Sequence, residues 1–182
     1  WNGFKQNINI SNCHVYGNNC CGIELQDGTA SGVTMSNNNV HDNGDNGLAL
    51  LGLKAGAGAN IISNNTVTNN GRFGIEIKNP NGNGTTSGDG SIYLDNNNVT
   101  FSASVGMNIR DHAGIAIMRR DFTSGNPQGY PNIPSGVVVR NNTVSGYKHL
   151  NPSRIESEGF GIVVEGTNHD VTLNTINNND IG

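Results

Sequence analysis

Residues 36–43 read Ser-Asn-Asn-Asn-Val-His-Asp-Asn, and residues 47–50 read Gly-Leu-Ala-Leu. In this stretch Val40 is preceded by Asn at two and three positions before it, and by the apolar Met35 at five. The same arrangement recurs along the chain around a set of apolar anchors, which are Val15, Val40, Val67, Val99, Val144 and Ile181. Repetition at fixed offsets indicates an architecture of stacked units.

The offsets around these anchors are shared. Three residues before each anchor the chain has Asn12, Asn37, Asn64, Asn96, Asn141 and Asn178. Five residues before each anchor it has Ile10, Met35, Ile62, Leu94, Val139 and Ile176. Seven residues after the first four anchors it has Gly22, Gly47, Gly74 and Gly106, each followed by a triplet in which apolar residues occupy both ends. Period-two alternation predicts short strands, and the Asn residues predict bends with one residue in the left-handed conformation.

Composition supports an all-β chain and excludes several functions. The 182 residues include 26 Gly and 33 Asn, two residue types that favour turns. A net charge of -4 argues against nucleic-acid binding, which needs a basic surface. Apolar runs such as 48–51 are too short to cross a bilayer, so no membrane insertion is expected. Short strands bury a face only when successive coils stack, with Asn side chains bonded from coil to coil. The sequence therefore predicts a parallel β-helix.

The run at 36–43, followed by Gly47-Leu48-Ala49-Leu50, resembles the repeats of right-handed parallel β-helix proteins of the pectin-lyase-like superfamily. The resemblance implies an all-β, right-handed parallel β-helix of about six to seven coils. It leaves function open, because that superfamily includes lyases, glycoside hydrolases, epimerases, phage tailspikes and adhesins. The chain opens on Trp1 with no initiator Met or leader pattern, so we expect a segment of a longer protein with flanking coils.

We expect one domain, 1–182, with enlarged loops at 78–91, 110–136 and 146–159. Solenoids usually place their insertions on one binding face, so the first two loops are expected to wall a groove. Two outward columns would form its floor. One column is predicted to contain Glu24, Ala49, Glu76, Asn108 and Val163, and the other Gln26, Leu51, Lys78, Arg110 and Glu165.

Lyases of this fold generally need a cation to neutralise a uronate carboxylate and a basic side chain to remove the neighbouring proton. The resemblance therefore implies catalytic roles for Lys78 and Arg110. It also implies a substrate-binding set comprising Glu24, Glu76, Asn108, His112, Arg119 and Arg120, with calcium as a candidate cofactor held by Glu76 and Asn108. The alternative is that these outward charges are solvated and only weakly paired.

Other catalytic arrangements are disfavoured. A glycosidase needs two carboxylates, and Glu24 and Glu76 would lie about 9.6 Å apart, at the edge of the range for inversion. The pairs His41-Asp42 and His169-Asp170 are not expected to act as dyads, because adjacent strand residues point to opposite faces. Whether the protein is an enzyme stays open; a polysaccharide lyase is favoured over a glycoside hydrolase.

The three cysteines, Cys13, Cys20 and Cys21, lack the spacing of a zinc site, and none is expected. A bridge from Cys13 to Cys20 or Cys21 would need Cα atoms within about 7 Å. The repeat architecture and the predicted groove together predict a secreted or cell-surface β-helix that binds polysaccharide, with processing of the polymer left open. The alternative is a non-catalytic stalk or adhesin segment of a large bacterial surface protein.

Overall fold

The computed structural model describes residues 4–26, 29–54, 56–102, 112–120, 133–148 and 159–182. Within these ranges the chain forms seventeen strands, numbered here in chain order, and every strand pairing is parallel. None of the described segments is a helix with the length and apolar character needed to cross a membrane.

The strands form three sheets, because each strand pairs with its counterpart in the neighbouring coil. The first sheet contains β1 (Lys5–Ser11), β4 (Ala30–Ser36), β7 (Asn60–Ser63), β10 (Ile92–Asp95), β13 (Val137–Arg140) and β16 (Asp170–Thr172). The second contains β2 (His14–Tyr16), β5 (Asn39–His41), β8 (Thr66–Thr68), β11 (Asn98–Thr100), β14 (Thr143–Ser145) and β17 (Thr175–Asn177). The third contains β3 (Ile23–Leu25), β6 (Leu48–Leu51), β9 (Phe73–Lys78), β12 (His112–Met118) and β15 (Gly159–Val164). The predicted stacked β-helix is confirmed.

The core is a set of apolar columns that run through the coils. Four of the predicted anchors are completely buried: Val40, Val67, Val99 and Val144. The residues five before them, Met35, Ile62, Leu94 and Val139, are buried to the same extent. At the first coil Val15 and Ile10 are only half-buried, because among the described residues only the coil of β4 and β5 stacks on them.

Ile181 was predicted to be the sixth anchor, and this prediction is wrong. Ile176, and not Ile181, pairs with Val144, and Ile181 is 40% exposed. The physical reason is that the chain also bends just after strands of the second sheet, and in the last coil this second bend has the Asn signature of a first bend. Asn178, at the second bend of the last coil, has a φ of 57° like the Asn residues at first bends, so residue type alone cannot distinguish the two bends.

The first bend places a residue in the left-handed region, as predicted, and the second bend, which was not predicted, does so in several coils. At the first bend φ lies between 54° and 58° for Asn12, Asn37, Asn64, Asn96 and Asn141. At the second bend Asp42 and Asn69 have φ values of 53° and 52°. Asn and Asp tolerate this conformation better than other non-Gly residues, which explains the Asn-rich composition.

From the second coil onward, the residue after the first bend is an Asn, and these Asn side chains form a ladder. Asn38 Nδ2 donates to Asn65 Oδ1 at 2.9 Å, and Asn65 Nδ2 donates to Asn97 Oδ1 at the same distance. The ladder continues to Asn142 and Asn174. A second ladder, which the repeat pattern did not predict, follows the second bend through Asn18, Asn43 and Asn70. The ladders provide partners for buried backbone groups at both bends.

Leu173 occupies the first bend of the last coil, with a φ of 57° and 79% exposure. A left-handed Leu costs about 1–2 kcal/mol, whereas Asn adopts this conformation readily. We therefore expect Leu173→Asn to raise the free energy of unfolding by about 1 kcal/mol, measured by urea denaturation. Val171→Asn, an exposed apolar position with ordinary backbone, is the matched control; an equal gain there would contradict the explanation from backbone strain.

One of the predicted enlarged loops, 110–136, differs from the prediction because it contains a strand. Residues 79–91 do connect β9 to β10, but the predicted loop 110–136 includes strand β12. Ile115 pairs with Ile75, so Gly114 and not Gly106 opens this coil's strand in the third sheet. The chain contains two similar Gly-opened alternating triplets, at 106–109 and 114–117, and the spacing from Val99 favoured the wrong one. Residues 103–111, 121–132 and 149–158 lie outside the described part.

Candidate functional site

The outer face of the third sheet is unusually well covered. Strand alternation turns Ala49, Glu76 and Ala116 away from the coil interior, and they align in adjacent strands. All three are nevertheless buried, with at most 1% exposure. Phe73 and Ala113 pack with Ala116 in a small apolar cluster separate from the main core. This face therefore combines low solvent exposure with the charged side chains described next.

Glu76 is the centre of an ion-pair cluster on this face. Arg120 Nε and Nη2 donate to Glu76 Oε1 at 2.8 and 2.6 Å. Asn46 Nδ2 donates to Glu76 Oε2 at 2.6 Å, and Lys78 Nζ lies 3.5 Å from the same oxygen. Lys78 Nζ is also 3.7 Å from Glu24 Oε1. Both oxygens of the buried carboxylate therefore have partners, as a charge removed from water requires.

The guanidinium groups in this region are held by an aromatic ring and by the backbone. Arg72 and Arg120 lie over the ring of Phe73, at 4.7 and 5.5 Å from its centroid. The Arg120 backbone N–H donates to Asn79 Oδ1 at 2.8 Å, and Asn79 Nδ2 donates back to the Arg120 carbonyl at 2.9 Å. These contacts fix the direction from which Arg120 approaches Glu76.

We call Glu24, Arg72, Glu76, Lys78 and Arg120 the Glu76 cluster. It contains three cations and two carboxylates, so its formal charge is +1 although the chain as a whole carries -4. The side chains of Lys78, Glu24 and Arg120 are 19%, 22% and 27% exposed, so the cations are partly desolvated but still reachable from solvent. A cation in this setting attracts an anionic group more strongly than one on an open surface does.

Two of the predicted site residues, Asn108 and Arg110, lie outside the described residues. The strand positions predicted for them beside Glu76 and Lys78 are occupied by Ala116 and Met118. The chemical roles proposed for Asn108 and Arg110 stay predictions. Arg120, which the sequence placed in the substrate-binding set, is the residue that contacts Glu76 in the structure.

The contacts described for the other two predicted binding residues, His112 and Arg119, are with groups outside the Glu76 cluster. His112 is 3% exposed, and its ring lies 5.8 Å from the rings of both Phe101 and Tyr147, which belong to the main core. Arg119 is exposed, and its backbone N–H donates to Glu165 Oε2 at 2.7 Å. His112 is therefore positioned as a core side chain.

At the predicted calcium site, cationic side chains already contact the Glu76 carboxylate. Any cation at Glu76 would have to displace Arg120 and Lys78, which already neutralise its carboxylate. The second predicted ligand, Asn108, lies outside the described residues. The calcium site stays a prediction, and no described contact adds to it.

One expectation about histidine was wrong. His41 Nδ1 lies 2.7 Å from Asp42 Oδ2, although the residues are adjacent. Asp42 follows the end of β5 and has a φ of 53°, so the chain turns and its side chain no longer points to the opposite face. His14 Nε2 contacts His41 Nε2 at 2.7 Å, and Tyr16 stacks on the His41 ring at 5.2 Å. This forms a surface group on the second sheet.

The class of protein follows from these observations, since three parallel sheets with buried Asn ladders define a parallel β-helix. A family model described as "Right handed beta helix region" matches residues 2–57. The chain is thus a right-handed parallel β-helix repeat protein. Searches of curated proteins and of solved structures returned no match.

Proposed function

We propose that this β-helix is a secreted or cell-surface domain that binds acidic polysaccharide at the Glu76 cluster. The observation that carries the proposal is the convergence of Lys78 and Arg120 on Glu76, on an otherwise apolar and poorly hydrated outer face. A uronate carboxylate could take up the excess positive charge of the cluster. Phe73, with Arg72 over its ring, adds a mixed apolar and cationic surface of the kind that sugar rings contact.

The arrangement suits binding better than proton abstraction. Lys78 lies within 4 Å of two carboxylates and serves there as a cation in ion pairs. A catalytic base would instead have to reach the proton beside the uronate carboxylate within hydrogen-bonding distance. Processing of the polymer is therefore a separate question, which can be answered by following unsaturated products in the ultraviolet with and without a calcium chelator.

The binding proposal predicts opposite effects for two neighbouring substitutions. Lys78→Gln removes a cation, and we expect it to weaken binding of polygalacturonate or alginate about tenfold, since a hydrogen bond to a charged group contributes about 1.5–3 kcal/mol. Glu24→Gln removes the carboxylate that competes for Lys78, and we expect it to strengthen binding. Both affinities can be measured by isothermal titration calorimetry at low ionic strength, where charge pairing is least screened.

Arg140→Gln is the matched control, because Arg140 is also basic and lies over the ring of Tyr93 in the first sheet. It should leave polymer affinity unchanged. Equal weakening by Lys78→Gln and Arg140→Gln would indicate a nonspecific response to charge. No uronate polymer bound by the wild-type protein would remove the proposal and leave the non-catalytic stalk as the better description.

A further inference from the structure

We propose that Cys20, Cys21 and Asp45 form a binding site for one thiophilic divalent cation, of the chemical class of Zn²⁺ and Cd²⁺. The ligand atoms of these three residues all lie within 4.8 Å of one another. Cys20 and Cys21 were expected not to bind metal, because the sequence has no further cysteines at the spacing of a zinc site. The missing ligand is a carboxylate from the next coil.

The distance between the sulfur atoms fits a tetrahedral site. With Zn–S bonds of about 2.3 Å and a tetrahedral angle, two coordinating sulfur atoms are about 3.8 Å apart. Cys20 Sγ and Cys21 Sγ lie 3.8 Å apart. They are too far apart to be bonded as a disulfide, and all three cysteines of the chain are free. A metal ion could enter between these sulfur atoms with little rearrangement.

The stacking of two coils brings the ligands together. Cys20 and Cys21 lie between β2 and β3, and Asp45 lies between β5 and β6 in the next coil. The Asp45 backbone N–H donates to the Cys20 carbonyl at 3.0 Å. Gly44 packs so tightly that an added Cβ would lie 2.4 Å from the Asn19 carbonyl oxygen. The two linkers are therefore held in a fixed register, and the ligands are preorganised.

The donor set has the chemistry of a metal site with one open position. Two thiolates suit thiophilic cations, and a carboxylate oxygen is a common further ligand for Zn²⁺. Asp45 makes no ion pair among the described residues, so its carboxylate is available. Three protein ligands leave the fourth position for water.

Metal binding must displace the thiol protons. Binding should therefore release protons and become tighter as the pH rises, which is general for thiolate sites. This site does not depend on the polysaccharide proposal, because none of its three ligands belongs to the Glu76 cluster.

The test uses Cd²⁺ as the probe, added to the reduced 182-residue chain. We expect one ion per chain and a thiolate-to-metal charge-transfer band in the ultraviolet, with Zn²⁺ competing for the same site. Cys20→Ser and Cys21→Ser should each reduce the band and weaken the affinity at least tenfold. Asp45→Asn should retain the band but weaken the affinity about tenfold.

Each control replaces the same type of residue as a site variant, but at a position outside the site. Cys13→Ser removes a cysteine outside the site, and Asp42→Asn removes a carboxylate on the neighbouring turn; neither should change the affinity. Circular dichroism of each variant establishes that it is folded. Equal loss in Cys13→Ser, an unchanged affinity in Asp45→Asn, or absence of the band in the wild-type protein would each overturn the three-ligand site.

Discussion

Val67→Asp should lower the free energy of unfolding by at least about 4 kcal/mol. Val67 is completely buried, and it lies in the middle of its column, with Val40 and Val99 in the neighbouring coils. A carboxylate placed there has no cation to pair with and lies among aliphatic side chains. Because each coil packs on its two neighbours, the damage should extend beyond one coil. Urea denaturation followed by circular dichroism measures the change.

Thr66→Asp is the matched control for this substitution. Thr66 is the preceding residue of the same strand, but its side chain is exposed. The same charge introduced there should change stability by no more than about 0.5 kcal/mol. A loss below about 1 kcal/mol in Val67→Asp would contradict the view that the anchors form a closed core. Similar losses in both variants would point to a strand that is sensitive to charge on either face.

The repeat could be predicted from the sequence because its physical causes are local. A bend that needs a left-handed residue selects Asn, and a column that stacks on itself selects Val, Ile or Leu. Both constraints recur in every coil and so appear as fixed offsets. They fail in the last coil, where the first bend has Leu173 and the second has Asn178, so the Asn signature marks the wrong bend although both residues have a φ of 57°. Only the strand pairing of Ile176 with Val144 distinguishes them.

The candidate site was predictable only in part. Glu24, Glu76 and Lys78 follow from the alternation of two well-aligned strands, and they lie together on the outer face. The contact between Arg120 and Glu76 joins residues 44 apart in the sequence, and it depends on how the chain continues after β12. No short-range pattern encodes that path. The strand of the third sheet was predicted to open at Gly106 but opens at Gly114, eight residues later. This error also arose because loop length varies freely between strands.

The cysteine site shows the same limit. Cys20 and Cys21 are adjacent, so their proximity could be predicted, but their third ligand depends on the register between two linkers. That register is fixed by backbone hydrogen bonds such as the one from Asp45 to Cys20. Spacing rules for metal sites assume ligands on one supersecondary unit. In a solenoid, ligands can come from positions one coil apart.

The Asn ladder leads to the other prediction with a large expected effect, because each ladder side chain makes several buried hydrogen bonds. Asn97 Nδ2 donates to Asn142 Oδ1 and to the Ile62 carbonyl, both at 2.9 Å. Asn97 Oδ1 accepts from the backbone N–H and Nδ2 of Asn65, at 3.0 and 2.9 Å. Asn97→Leu keeps a similar volume but removes all four bonds and leaves the backbone N–H of Asn65 buried without this partner.

We expect Asn97→Leu to lower the free energy of unfolding by about 4 kcal/mol, at about 1 kcal/mol for each lost bond. Asn98→Leu is the control, since Asn98 is exposed and its substitution should change stability by less than about 0.5 kcal/mol.

Asn97→Asp makes the test sharper. Its carboxylate keeps the acceptor but faces the oxygen atoms of Ile62 and Asn142, so it should be strongly destabilising at pH 7. Protonation at pH 4 restores one donor, and the deficit relative to wild type should then shrink. A deficit that does not depend on pH would show that shape, and not hydrogen bonding, determines this position.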